Sequence, residues 1–326
     1  MPSPRTRGER CLYLCPANSP EVGLGHVRRS LAIADAAPAY GLNVRLMADR
    51  FHPHGTRQSP KPEASLSSGA WIETVRRGDF VVFDDYGIDQ DVLSAVSARG
   101  ALVAALDDRA VIDLEVDLLI VPSQLIVEAP RAHKVLSGPA FAPVSGACRR
   151  ARRPDRPGTD RLLVTMGGGD IGGMTIPIVE ALAGRSPFRT LRALIGPLAG
   201  SHDVTTARSL PGVEVTQSVD DPSTLFAESN AAISSAGSTI WELLCIGVPT
   251  ALVITAGNQQ GVAKITRAAD AVLSLPTGDV GGQDFVDVVS LLADPQVQQS
   301  LHEAGQELVD GHGAERICRA LVGTYG

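Results

Sequence analysis

Along nearly the whole chain, short apolar runs rich in β-branched residues alternate with longer runs of helical period. The pattern occurs twice. In the first half CLYLCPA, NVRLMAD, DFVVFDDY, ALVAALDD and DLLIVPS read as strands. HVRRSLAIADAAPAYG reads as a helix ended by Gly41, and DQDVLSAVSARG as a helix capped by Asp89 and closed by Gly100. In the second half RLLVTMGGG, TLRALIGP, VEVTQSV, AAISSAG and TALVITA read as strands. TIPIVEALAG, DPSTLFAESN, STIWELLCIG and QQGVAKITRAADA are the helices between them. Strands alternating with helices at this spacing predict parallel, doubly wound sheets, and runs apolar throughout, such as ALVIT, suit sheets buried on both faces. The expected class is α/β, with two Rossmann-like domains facing each other across a cleft.

The chain has 326 residues, enough for two cores of about 150 residues each. The boundary falls in SGACRRARRPDRPGTD, which is arginine-rich, holds prolines and shows no hydrophobic period. The sequence thus predicts an N-terminal domain over 1–145, a linker over 146–158 and a C-terminal domain over 159–326. The arginines of the linker either solvate it or bind an anion. The polar, Pro- and Ser-rich stretch 51–69 reads as a mobile loop.

Charge narrows the partners. The formal net charge is −7 and the pI about 5.5, a poor match to the phosphates of a nucleic-acid polymer. No stretch approaches the roughly 18 consecutive apolar residues of a membrane helix. The apolar run Cys11–Pro16 behind the basic N-terminus is too short for a signal-peptide core. Five cysteines at irregular positions (11, 15, 148, 245, 318) read as reduced thiols of a cytoplasmic protein, with Cys11 and Cys15 on one face of a strand. No membrane partner is expected, and the chain is expected to be a monomer or weak oligomer.

In doubly wound sheets ligands bind where loops leave the carboxyl ends of the strands. After the first strand comes Gly23-Leu24-Gly25-His26-Val27-Arg28-Arg29. Its glycines permit a tight turn and close backbone approach, but Arg28 stands where a dinucleotide fingerprint requires a third glycine. A histidine at a helix start between such elements suits a general base or neutral donor. Arg29, one turn along, either meets phosphate or solvates the helix. Two later strands end in Asp84-Asp85-Tyr86 and Asp107-Asp108-Arg109. Their carboxylates are candidates for a general base, for hydroxyl acceptors or for the group that orients His26, and the choice between Asp84 and Asp85 stays open. Asp89 is expected to cap its helix. In the second half Met166-Gly167-Gly168-Gly169-Asp170 forms a backbone cradle for phosphate without a Walker lysine. Gly237, Ser238 and Thr239 start a helix and can donate amides and hydroxyls to a diphosphate, with Glu242 one turn inside for a ribose hydroxyl pair. Asn258 and Gln259 open another helix, and their amides suit sugar hydroxyls and acetamido groups. Backbone around Gln217 to Val219 is the candidate for base recognition. No Cys/His cluster has metal-ligand spacing, so no metal and no cofactor are expected. The remaining histidines show no partners in sequence.

GLGHVRR, DDYGID, DDR, LSGPAF, VTMGGGD, SSAGSTIWELLCIGVPT, GNQQ and VDGHGAERI, in that order and spacing, resemble the UDP-sugar hydrolases of pseudaminic acid biosynthesis, the PseG-like family. These belong to the GT-B superfamily. The resemblance implies a nucleotide held by the C-terminal domain, a sugar facing the N-terminal one, and displacement of UDP at the anomeric carbon by water. It implies His26 as the catalytic residue, and Tyr86 and Asn258 lining the sugar pocket; the chemistry of the residues adds Asp84 or Asp85 as the carboxylate that orients His26. The motif departs from the family at Asp85, where histidine is frequent. The nearest alternative is a glycosyltransferase with the same donor site and a soluble acceptor.

Overall fold

The computed structural model describes residues 9–17, 24–47, 62–64, 69–109, 114–155, 157–170, 172–196, 201–217, 219–275 and 281–324. It divides into two compact units. One takes the described residues before 18, those between His26 and Ser145 and those after Gly311; the other takes those between Gly146 and Gly311, with Leu24 and Gly25.

The first unit carries seven strands: β1 (Arg10–Pro16), β2 (Leu42–Met47), β3 (Pro62–Ala64), β4 (Phe80–Asp84), β5 (Leu102–Leu106), β6 (Val116–Val121) and β7 (Ala132–Ser137). They lie in the order β3-β2-β1-β4-β5-β6-β7, every pair parallel. Because the sheet is covered on both faces, alternate residues of one strand fill separate cores. Leu12, Leu14, Phe80 and Val82 join one cluster, while Cys11, Tyr13, Cys15, Val81 and Phe83 join another. Helix α1 (Gly25–Ala36) follows β1. It stops before Pro38, whose ring cannot continue it, and a short 3₁₀ turn (Ala37–Tyr40) ends on Gly41 in the left-handed region at φ 71°. Helix α2 (Gln90–Ser97) starts at Asp89, whose carboxylate accepts from the Val92 amide at 3.0 Å.

The second unit repeats the winding. Its helices are α3 (Gly146–Arg150), α4 (Thr175–Leu182), α5 (Ser201–Ser209), α6 (Ser223–Ala227), α7 (Thr239–Ile246), α8 (Gln260–Ala268), α9 (Gly282–Leu292) and α10 (Pro295–Leu308). Strands β8 (Arg161–Thr165), β9 (Thr190–Ile195), β10 (Val213–Gln217), β11 (Ala231–Ser235), β12 (Thr250–Val253) and β13 (Leu273–Ser274) run parallel in the order β10-β9-β8-β11-β12-β13. In both sheets the order reverses beside the first strand, so the switch points lie at the ends of β1 and β4 and of β8 and β11.

Three expectations change. The segment 146–158 is not a free linker but part of the second unit: Arg152 donates to the carbonyls of Cys245 (3.1 Å) and Val309 (2.8 Å), and Arg153 to that of Ser229 (2.8 Å). Its arginines thus satisfy helix-end carbonyls, which a hydropathy pattern does not reveal. The second domain also does not run to the C-terminus. Helix α11 (Gly313–Gly323) returns to the first unit and buries Ala314, Ile317, Cys318 and Leu321 in the same cluster as Leu12 and Ile33. Finally, strand β7 was unread in the sequence, its AHKVLS being half-exposed at the sheet edge and only weakly apolar. Of the stretch 51–69, residues 62–64 form β3 and Gly69 leads into a short 3₁₀ turn; the rest lies outside the described residues.

Candidate active site

At the switch point of the first unit, the end of β1 leads into α1 and the end of β4 carries Asp84. Asp84 is the last residue of a strand with every position buried, so its carboxylate sits 1% exposed against α1. His26 and Arg29 are three apart on that helix and therefore share a face. His26 Nδ1 lies 2.6 Å from Asp84 Oδ1 and 2.9 Å from the Asp84 carbonyl oxygen. The Asp84 carboxylate and carbonyl oxygens at Nδ1 favour a proton on that nitrogen and a lone pair on Nε2, although Arg29 Nη2 also lies 3.1 Å from Nδ1. Arg29 Nε and Nη2 grip Asp84 through both carboxylate oxygens, and Nη1 pairs with Asp108 Oδ2. Buried ions are held this way only when paired.

The electrostatics follow from that geometry. Burial by itself would lift the Asp84 carboxyl, but the Arg29 charge and the His26 contact outweigh it and hold Asp84 below its ordinary value. Burial would likewise depress Arg29, yet Asp108 and Asp84 hold it well above its ordinary value. Tyr86 sits edge-on to the imidazole, ring centroids 4.8 Å apart, beneath the Arg109 guanidinium at 4.1 Å. Its hydroxyl points to Asp108 Oδ2 at 3.5 Å. Burial, offset in part by Arg29 and reinforced by Asp108 and Asp84, pushes the Tyr86 phenol up to about 12, so it stays protonated at neutral pH.

Asp85 is corrected as the orienting carboxylate. Its Oδ1 accepts from the Gly87 amide at 2.8 Å and closes a turn, while Asp84 makes the His26 contact. Arg29 is corrected too: it neither solvates the helix nor presents itself to phosphate, being 6% exposed with its donors turned onto Asp84 and Asp108. The sequence offers Asp107 and Asp108 together as candidate carboxylates without distinguishing them, and does not single out Ser123, whose hydroxyl donates to the Asp108 carbonyl oxygen. Gly25 heads α1, and Gly23 lies outside the described residues.

In the second unit the glycine loops sit at its own switch point. Gly167, Gly168 and Gly169 turn after β8, with Gly167 left-handed at φ 80°. The turn abuts the end of β9 so closely that a Cβ at Gly196 would stand 2.2 Å from the Gly168 carbonyl oxygen. Asp170, itself left-handed at φ 42°, accepts from the amides of Met174 and Thr175, each at 2.9 Å. A carboxylate thus already occupies the start of α4, leaving the loop amides rather than that helix end for a second anion. Helix α7 differs. No side chain caps it, although Ser238 stands at the cap position, and Gly237, Ser238 and Thr239 lead its amides outward with Glu242 half-buried in the first turn. Asn258 is exposed, whereas the Gln259 amide folds back on its own loop, accepting from the Thr255 amide at 2.8 Å. Val219 is half-buried beyond β10; Ser218 lies outside the described residues.

Among the described residues no group of three or more His, Cys, Asp or Glu is placed to hold a metal, and no helix is long and apolar enough to cross a membrane. No protein-family model matches the chain. It is 25% identical over 333 residues to the spore coat polysaccharide biosynthesis protein SpsG of Bacillus subtilis (strain 168), covering 94% of this chain and 96% of that one. The chain resembles the PseG-like sugar enzymes. Among solved structures it is similar to MnaA of S. aureus, determined with UDP (TM-score 0.64, 12% identity, 94% of each chain). It is also similar to CalG4, the calicheamicin glycosyltransferase (TM-score 0.58, 17% identity, 98% of this chain and 99% of that one). The fold is GT-B.

Proposed function

We propose that this chain hydrolyses a nucleoside-diphosphate sugar, with water attacking the anomeric carbon and UDP and free sugar released. The observation that carries the reading is the buried His26–Asp84 contact of 2.6 Å, which fixes the imidazole with Nε2 available as a base. As the bond from water oxygen to the anomeric carbon forms, the water proton passes to Nε2. The bond from that carbon to the diphosphate oxygen breaks, and its electron pair leaves with UDP. Arg29 neutralises one of the two carboxylates it touches, so a negative charge remains beside the imidazolium as it forms. Tyr86, a neutral phenol, holds the ring edge and supplies a hydroxyl.

The second unit supports the nucleotide half of the reading. The uncapped start of α7 at Gly237, Ser238 and Thr239, together with the loop amides at Gly168 and Gly169, suits the charge that develops on the leaving diphosphate. Glu242 suits the ribose hydroxyls, backbone about Val219 the base, and Asn258 the sugar, with Gln259 shaping that loop. All five cysteines are buried and outside any disulfide, which supports a cytoplasmic setting.

The likeness to CalG4 favours a second reading, transfer of the sugar to a soluble acceptor from the same donor site. An assay of UDP and free sugar without acceptor separates the two. Equal amounts of both products, lost in His26→Asn, are expected; release only when an acceptor is added would replace hydrolysis with transfer.

A further inference from the structure

Asp108 completes the cluster around Arg29 but uses only one of its oxygens there. Oδ2 pairs with Arg29 and faces the Tyr86 hydroxyl, whereas Oδ1 is buried and has no hydrogen-bond partner among the described residues. Its backbone carbonyl accepts from the Ser123 hydroxyl, and its side chain keeps 13% exposure. Its neighbour Asp107 spends Oδ1 on the Arg109 amide at 3.0 Å, so the two carboxylates of the pair have separate tasks. A buried carboxylate oxygen calls for a donor. Arg29, on the other oxygen of the same carboxylate, disfavours a metal cation there. The aromatic edges of His26 and Tyr86 beside it suit a neutral ring bearing hydroxyl or amide hydrogens.

We propose that Asp108 Oδ1 is a sugar-recognition acceptor, taking a hydrogen bond from one hydroxyl or N–H of the substrate's sugar. The inference rests on the nucleotide-sugar reading and adds to it a specificity determinant: the sugar must offer a donor at one ring position. Arg29 then links recognition to chemistry, because the same guanidinium that holds Asp108 also holds Asp84 behind His26.

The test measures binding rather than turnover. UDP, UDP-glucose, UDP-galactose and UDP-N-acetylglucosamine are titrated calorimetrically into wild type, Asp108→Asn and Asp108→Ala, together with analogues in which fluorine replaces each sugar hydroxyl in turn. Fluorine keeps the size and accepts but cannot donate. In wild type one fluorinated position is expected to weaken binding by about 10- to 100-fold, the range of an unmet buried hydrogen bond. In Asp108→Asn the oxygen is drawn to Arg29 and an NH₂ takes the place of Oδ1, so the penalty at that position should collapse to within about threefold. UDP alone should bind all three proteins equally, which also reports that the variants fold. The inference is overturned if no fluorinated position penalises wild type, a result independent of the variants, or if the penalty stays as large in both variants as in wild type. Binding with the expected pattern but no hydrolysis would overturn the hydrolase reading and keep Asp108; failure of every UDP-sugar to bind would overturn both.

Discussion

Replacing Asp84 by Asn removes one charge from a site where three donors converge. The structure gives this carboxylate His26 Nδ1 and two nitrogens of Arg29, all buried. Asn keeps one acceptor and presents an NH₂ to groups that themselves donate. Breaking a buried ion pair costs about 3–5 kcal/mol, and because Asp108 still partners Arg29 the lower end, about 3 kcal/mol, applies. For a unit of this size that corresponds to a fall in melting temperature of roughly 6–12 °C. The imidazole would also lose the acceptor that fixes its tautomer, so kcat is expected to drop about 10²- to 10⁴-fold. Asp85→Asn is the matched control. Its oxygen closes a half-exposed turn on the Gly87 amide, a task Asn performs equally well. Stability should change by less than about 0.5 kcal/mol and kcat by less than roughly threefold. Differential scanning fluorimetry reads the effect on stability, and acceptor-free UDP release at saturating UDP-sugar reads the effect on kcat. Near-wild-type turnover in Asp84→Asn, with the loss appearing in Asp85→Asn instead, would refute the assignment.

Acid should weaken the first unit through the same group. The Asp84 carboxyl is held low in the fold, so its contribution is present above the ordinary carboxylate range and is lost as pH falls through the folded value. Urea midpoints between pH 6 and pH 3 should therefore fall more steeply in wild type than in Asp84→Asn; equal slopes would contradict this. Gly196→Ala would drive a Cβ to 2.2 Å from the Gly168 carbonyl oxygen, so the glycine turn must shift, and UDP affinity is expected to fall at least about tenfold by calorimetry while the His26 cluster is untouched. Gly313→Ala would set a Cβ 2.0 Å from the Ala142 carbonyl oxygen and lift α11 from its core, costing about 1–3 kcal/mol. Its melting temperature should drop with UDP affinity unchanged.

The two-fold alternation of strands and helices was legible because apolar runs of strand length are bounded by glycine, proline and polar turns. His26 was legible for the same reason: it opens the helix after the first strand. Which aspartate meets it was not. Alternation identifies an outward face only when one face of a strand is wet, and β4 is buried throughout, so Asp84 and Asp85 look alike until the turn at Gly87 claims one of them. Arg29 was equally ambiguous, since a buried arginine is distinguished by partners far away in sequence, here 55 and 79 residues on. The crossing of α11 back to the first unit follows from contacts of Cys318 and Ile317 with residues nearly the whole chain away, which local pattern does not encode. The arginines of 149–153 looked like a solvated linker because carbonyl acceptors at helix ends leave no mark in a hydropathy profile.

The central claim is attack of water at the anomeric carbon, and it is tested by running the reaction without acceptor in heavy-oxygen water and weighing the UDP. Cleavage of the carbon–oxygen bond leaves UDP with its original oxygens, so the account predicts unlabelled UDP, formed by wild type and not by His26→Asn. Heavy oxygen in the terminal phosphate of UDP would mean attack at phosphorus and would contradict it.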